Sequence, residues 1–188
     1  NAKNLPKHII CQEVSDEELE RISFLTTPQQ VLCFSTLPVI QKKVTSPITV
    51  LLDQIQDPGN LGTIIRTCDW FGIDSVVCSL DTADAFAPKV VQASMGSVLR
   101  VNVQYLNLDT FLDNHPNSKV YVATLDGEDV RRLNDQSPCF LVIGNESKGV
   151  SSFLLKRATK KISIPRVGKA ESLNAAVATG ILLSRMVH

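Results

Sequence analysis

This chain of 188 residues predicts an α/β fold with a parallel sheet covered by helices on both faces. Three observations carry that reading. From about residue 46 onward, short apolar runs alternate regularly with helical segments. The runs are near-continuous in Val, Ile and Leu, the pattern of strands buried on both sides. Glycines and polar residues collect just after the carboxyl ends of several runs, where open α/β sheets place their ligands.

Taken in order, residues 5–12 read as a short strand. Ser15 then caps a short helix, with Glu18 three residues on completing a capping box. Val31–Phe34 is a second strand candidate. Residues 36–47, with two prolines and two lysines, read as a linker, and this N-terminal part is too small for a core of its own. Beyond a boundary near residue 46, strands are expected over Ile48–Ile55, Ser75–Leu80, Val98–Leu106, Lys119–Leu125, Phe140–Ile143 and Lys161–Ile164. Helices are expected over 60–72, 87–95, 108–114, 151–158 and 172–187, with a turn and a brief helix near 128–134. The last helix is apolar almost all round, as a helix buried on several sides would be. Its polar entry, Glu171-Ser172-Leu173-Asn174, lies where the first N–H groups of a helix are unpaired.

Composition narrows the classes. Hydrophobic residues at 44% allow a substantial core. Nineteen basic residues balance 19 acidic ones, so any RNA-binding surface must come from local clustering. Lys156, Arg157, Lys160, Lys161, Arg166 and Lys169 form one such cluster; Glu13, Asp16, Glu17, Glu18 and Glu20 read as a solvated acidic face. Five scattered cysteines without a Cys-x-x-Cys pair suit reduced, buried thiols in a cytoplasmic protein. His8, His115 and His188 lack metal-ligand spacing, and no metal is expected. No run would span a membrane and no signal peptide opens the chain. A first residue of Asn rather than Met suggests a fragment.

Four loops hold the candidate chemistry. Asp57–Thr67 joins a glycine-rich turn to a helix on which Arg66 lies nearly two turns beyond Asn60. Leu125-Asp126-Gly127 reads as a turn. Gly144-Asn145-Glu146-Ser147-Lys148-Gly149 follows a buried strand and suits close backbone approach to a ligand. It is not a phosphate-binding Walker loop, and no dinucleotide fingerprint or nucleophile elbow occurs elsewhere. Ile164–Asn174 opens the last helix, with Ser172 or Asn174 as its cap. Together these loops imply a pocket of backbone groups and glycines, with Arg66, Glu146, Ser172 and Asn174 as its polar candidates.

The stretches DPGNLGTIIRT, LVIGNESKGVS and ISIPRVGKAESLNAAVATGILL resemble, in order, the three motifs of SpoU-type RNA 2′-O-ribose methyltransferases of the SPOUT superfamily. The resemblance covers about residues 48–188. Residues 1–45 resemble the tail of the L30e-like RNA-binding domain that often precedes this catalytic domain, giving a partial domain and linker at 1–45 and the methyltransferase domain at 46–188. The resemblance implies a deep C-terminal trefoil knot, S-adenosylmethionine bound in it, a homodimer formed near the site, and rRNA or tRNA as substrate. It assigns Asn60, Arg66, Glu146, Ser172 and Asn174 to catalysis, and Thr124, Leu125, Gly144, Gly149, Ile164 and Leu173 to the cofactor. Arg66 is expected beside the attacking 2′-oxygen, oriented by Glu146. A non-catalytic RNA-binding relative, an α/β enzyme for a phosphorylated metabolite using Lys148, and methylation of a base nitrogen are the alternatives.

Overall fold

A computed structural model describes residues 9–25, 27–36, 45–135 and 137–187. The first part of the strand expected over 5–12, most of the 36–47 linker, and His8 and His188 lie outside them. The chain divides into two units, Asn1–Pro38 and Val39–His188.

In the first unit, helix α1 spans Asp16–Ile22. Ser15 accepts from the Glu18 N–H at 3.2 Å, and Glu18 accepts from the Ser15 N–H at 2.9 Å. The capping box therefore forms, and Asp16, Glu17, Glu18 and Glu20 lie on a helix with no buried residue, with Glu13 just before it. The expected strands do not form: residues 9–12 and 31–34 are irregular. Ile10, Phe24, Val31 and Phe34 stay exposed. Ladder bonds need an edge to pair with, and apolar β-formers alone do not supply one.

The second unit is built on six strands: β1 (Ile48–Leu52), β2 (Ser75–Cys78), β3 (Asn102–Tyr105), β4 (Lys119–Asp129), β5 (Cys139–Ile143) and β6 (Lys160–Ser163). Their spatial order is β3-β2-β1-β5-β4-β6, and every pairing is parallel. Helices α2 (Pro58–Trp70), α3 (Pro88–Ser94) and α6 (Ala175–Met186) cover one face. There Leu61, Ile64, Ile65, Val90 and Leu182 pack on Val50, Leu52 and Leu141. On the other face, α4 (Leu108–Asp113) and α5 (Ser152–Arg157) seal Leu51, Val77, Val122 and Val142 under Leu108, Leu112 and Leu154. The central strands β1, β2 and β5 are therefore covered by apolar neighbours on both faces, which is why their runs carry no polar alternation.

Three details differ from the sequence expectation. The run Val98–Leu106 breaks into a 3₁₀ turn at Ser97–Leu99 and a strand from Asn102. Asp126-Gly127 is not a turn. β4 continues through it to Asp129, with a register shift against β6 between Ala123 and Glu128. A Cβ on Gly127 would lie 2.5 Å from the Ile162 carbonyl carbon, and Ser163 Oγ donates to the Gly127 carbonyl at 2.7 Å. Glycine is required here by backbone-to-backbone crossing, which the turn propensity of Asp-Gly cannot reveal. This crossing of the C-terminal segment over β4 is consistent with the expected knot. Finally, α6 buries one side only, through Ala175, Ala176, Thr179, Leu182 and Leu183; Val177 is exposed and Ile181 partly so.

Away from the carboxyl ends, Asp135 ties the segment before β5 to the start of β4. It accepts from Lys119 Nζ at 2.5 Å and Tyr121 Oη at 2.6 Å. Lys119 first, then Tyr121 and Ser137, hold its carboxyl well below the usual range. A depressed native pKa stabilises the fold above the ordinary carboxylate value of about 4 and is lost as pH falls below it. Asp135→Asn is therefore expected to lower Tm at pH 7 and to narrow the gap to wild type as thermal melts are moved to pH 3. A constant gap across that range would contradict this role.

Candidate active site

The carboxyl ends of β4, β5 and β6 open into one cleft of about 970 Å³. Its walls come from 123–126, 143–150, 161–168 and the entry to α6. Thr124, Leu125, Gly144, Glu146, Gly149, Ile164, Ser172 and Leu173 all line it. Asn60, Arg66 and Asn174 do not.

The 144–149 loop is held by its own backbone and by Asn145. The Asn145 and Gly149 main chains exchange hydrogen bonds at 3.1 and 2.9 Å. Asn145 Oδ1 accepts from the N–H groups of Ser147 and Lys148, and its Nδ2 donates to the Gln54 carbonyl at 2.8 Å. Gln54 itself sits at φ 60°, a left-handed position just after β1. The buried Asp53 carboxylate accepts from the Ser151 N–H at 2.7 Å. Asn145 and Asp53 are thus the groups that shape the cleft floor, and neither is singled out by the sequence reading. The signal for Asn145 was there: an Asn opening a glycine-bounded loop is the residue that forms side-chain-to-backbone turns. Gly144 is where the loop closes on itself: a Cβ there would sit 2.5 Å from the Gly149 carbonyl carbon and from the Val150 nitrogen.

A hydrogen-bonded relay joins the first, third and fourth loops. Asp57 caps α2 by accepting from the Asn60 N–H at 2.8 Å, which fixes Asn60 in the first turn. Asn60 Nδ2 donates to Glu146 Oε1 at 2.5 Å, and Asn174 Nδ2 donates to Asn60 Oδ1 at 2.8 Å. Asn174 Oδ1 accepts from the N–H groups of Ala176 and Val177 and caps α6. The direction of the relay is fixed at both ends. An ionised carboxylate only accepts, and the helix N–H groups only donate, so each amide can face only one way. Asn174 is therefore both the helix cap and part of the site.

Arg66 stands apart. It is exposed on α2 and, among the described residues, makes no hydrogen bond or ion pair. Glu146 accepts from Asn60, not from Arg66. Ser172 lines the cleft without a hydrogen bond among the described residues.

Three of the six residues of the basic cluster are paired with acids from elsewhere in the fold. Arg157 pairs with Asp109 and Asp113, Lys160 with Glu128 at 3.2 Å, and Lys161 with Asp126 at 3.7 Å. Arg166 donates to the Ala170 carbonyl at 3.3 Å, bracing the 165–170 loop. Asp126 is held below the usual carboxylate range, first by the nearby Thr124 hydroxyl. That contact lacks good hydrogen-bond geometry, so among the described residues the buried Thr124 Oγ1 has no well-formed hydrogen bond.

Cys68, Cys78 and Cys139 are buried, as expected, whereas Cys11 and Cys33 are exposed. Burial pushes the Cys78 thiol up to about 12 and the Cys139 thiol up to about 11, so neither is a nucleophile at neutral pH. No group of His, Cys, Asp and Glu among the described residues could hold a metal ion.

A parallel α/β sheet with a cleft of looped backbone and glycines at its carboxyl ends defines a ligand-binding α/β protein without the phosphate-loop or dinucleotide fingerprint. Residues 47–184 match the SpoU rRNA Methylase family, and the chain belongs to it. It is 36% identical over 183 residues to the 23S rRNA (guanosine(2553)-2′-O)-methyltransferase RlmP of Bacillus subtilis, covering 96% of this chain and 73% of that one. Among solved structures it is similar to the AdoMet-bound rRNA methyltransferase of Sinorhizobium meliloti, with TM-score 0.78, 32% identity and coverage of 92% and 69%. It is also similar to the SpoU methyltransferase AviRb of Streptomyces viridochromogenes in complex with AdoMet, with TM-score 0.68, 30% identity and coverage of 74% and 58%.

Proposed function

We propose how this chain acts as the S-adenosylmethionine-dependent RNA 2′-O-ribose methyltransferase that its family membership makes it, with bacterial-type rRNA as the favoured substrate and the cytoplasm as its place of work. The observation that carries the site assignment is that the second and third motif loops line one cleft, and the relay Asn174–Asn60–Glu146 ties the first motif to both.

The residues present fit the cofactor. Gly144 lets the 144–149 loop close on itself, and the loop backbone at Gly144 and Gly149 forms part of the cleft wall. Thr124 Oγ1 is a buried hydroxyl in the cleft wall that, among the described residues, has no well-formed hydrogen bond. Leu125 and Leu173 are exposed apolar side chains on the same wall, and Ile164 completes it; a bound adenosyl group would cover them. When bound there, S-adenosylmethionine supplies an activated methyl carbon on a good leaving group.

The chain's own task is then alignment and charge stabilisation. A ribose hydroxyl is a weak nucleophile, and a guanidinium is always protonated, so Arg66 is no simple base. We assign it as a fixed positive charge that stabilises the forming 2′-alkoxide, with a phosphate oxygen or water taking the proton. The relay holds Glu146 and the α6 entry in register, and Ser172 offers its hydroxyl to the ribose.

Arg66 lies off the lining of the cleft, and α6 keeps an uncovered apolar side at Val177 and Ile181 beside exposed Leu173. Both features favour a homodimer through the C-terminal region, in which the site is completed near the partner. Residues 1–45 are proposed as part of a separate RNA-binding segment, and 46–188 as the catalytic domain.

The test is transfer of labelled methyl from S-adenosylmethionine to total RNA by the purified chain. Incorporation that depends on the protein supports the assignment. Tight cofactor binding with no transfer to any RNA would favour the non-catalytic reading instead.

A further inference from the structure

Helix α2 presents one uncovered stripe. Gly59, Thr63, Arg66 and Trp70 recur at four, three and four residues, so they share a face along almost the whole helix. The neighbouring positions are occupied: Gly62 packs on Ala93 and Val90 of α3, and Thr67 lies against Gly180 of α6. Gly59 is half-buried, Thr63 and Arg66 are exposed, and Trp70 is 85% exposed. An indole so exposed gives up most of the benefit of burying a large ring. No other ring packs on it among the described residues. It sits one helical turn from Arg66, about 6 Å along the axis.

Two cations flank the stripe, and the acid at its Gly59 end, Asp57, accepts from the Asn60 N–H at 2.8 Å. Arg66 is unpaired among the described residues, and so is Lys89, whose Cε lies 4.0 Å from where a Cβ on Gly59 would be. The acid next to the indole, Asp69, is already engaged by Arg100 at 2.6 Å and by Ser97 Oγ at 2.7 Å. Cations at intervals beside an exposed aromatic ring are the two elements of a single-strand nucleic-acid track. A purely protein partner would call for apolar cover around the indole, whereas this stripe continues into Arg66, Thr63 and Lys89.

We propose that this stripe of α2 is an RNA track, in which the Trp70 indole stacks on an unpaired base beside the ribose served by Arg66 and Lys89 holds a phosphate. The inference rests on the function proposed above, and it makes Trp70 a positioning residue rather than a catalytic one. It selects an unstacked, single-stranded target nucleotide, because a base held in a duplex offers no free face.

Trp70 is the only tryptophan in the chain, so its fluorescence reports this site alone. A short oligoadenylate is expected to quench it, and polyphosphate, which has charge but no bases, is not. In methyl transfer to total RNA, Trp70→Ala should raise KM roughly tenfold, the loss expected of one base–aromatic stack, with kcat within about twofold; Trp70→Phe should restore most of the loss. Equal quenching by polyphosphate, or an unchanged KM in Trp70→Ala, would overturn the inference. So would emission that is blue-shifted, tracks protein concentration and ignores the oligonucleotide, which would place Trp70 between two copies of the chain. A wild-type protein that transfers no methyl group refutes the function itself, and the oligoadenylate titration still decides whether the stripe binds bases.

Discussion

Arg66→Ala is expected to cut methyl transfer by roughly a hundredfold to a thousandfold, the usual cost of removing a charge that stabilises a developing oxyanion. Because Arg66 is exposed, unpaired among the described residues and outside the lining of the cleft, the variant should fold normally and bind S-adenosylmethionine with wild-type affinity. The effect should therefore fall on kcat and kcat/KM together, the mark of an interaction made only in the transition state. Arg66→Lys should recover little, since a compact ammonium does not reproduce the guanidinium fork. Full activity of the alanine variant in the labelled-methyl assay would remove Arg66 from the mechanism.

Gly144→Val acts at the opposite end of the site. The Cβ would stand 2.5 Å from main-chain atoms of Gly149 and Val150, so the 144–149 loop must open. Those are backbone atoms, not the end of a flexible side chain, and overpacking of this kind costs about 1–3 kcal/mol of stability. The opening also breaks the Asn145–Gly149 bridge and shifts Glu146 from Asn60. Calorimetry is expected to detect no S-adenosylmethionine binding at concentrations that saturate the wild type. Wild-type affinity would mean that the cofactor lies elsewhere.

The two variants divide the site as the sequence does. The sheet was legible because parallel strands buried on both faces leave an unbroken apolar record, and β1, β2, β5 and β6 fall where their Val/Ile/Leu runs stand. Three of the four loops read at strand ends line the cleft; the first, Asp57–Thr67, reaches the site only through Asn60. What periodicity could not supply was tertiary. Gly127 looks like half of a turn because Asp-Gly usually is; its reason for being glycine is the Ile162 backbone, 35 positions away. Val31–Phe34 has the composition of a strand and no ladder to join. The all-round apolar character of α6 suggested burial on several sides, yet one side of Val177 and Ile181 remains uncovered in the single chain. Asn60 and Asn174 were readable as residues, but their pairing across 114 positions was not.

The central claim is that the methyl group goes to a ribose oxygen. RNA methylated by this protein with isotopically labelled S-adenosylmethionine, digested to nucleosides and analysed by mass spectrometry, tests it directly. The label is expected on the ribose, as a 2′-O-methylnucleoside. Label carried by the released base, as a nitrogen-methylated nucleobase, would contradict the account.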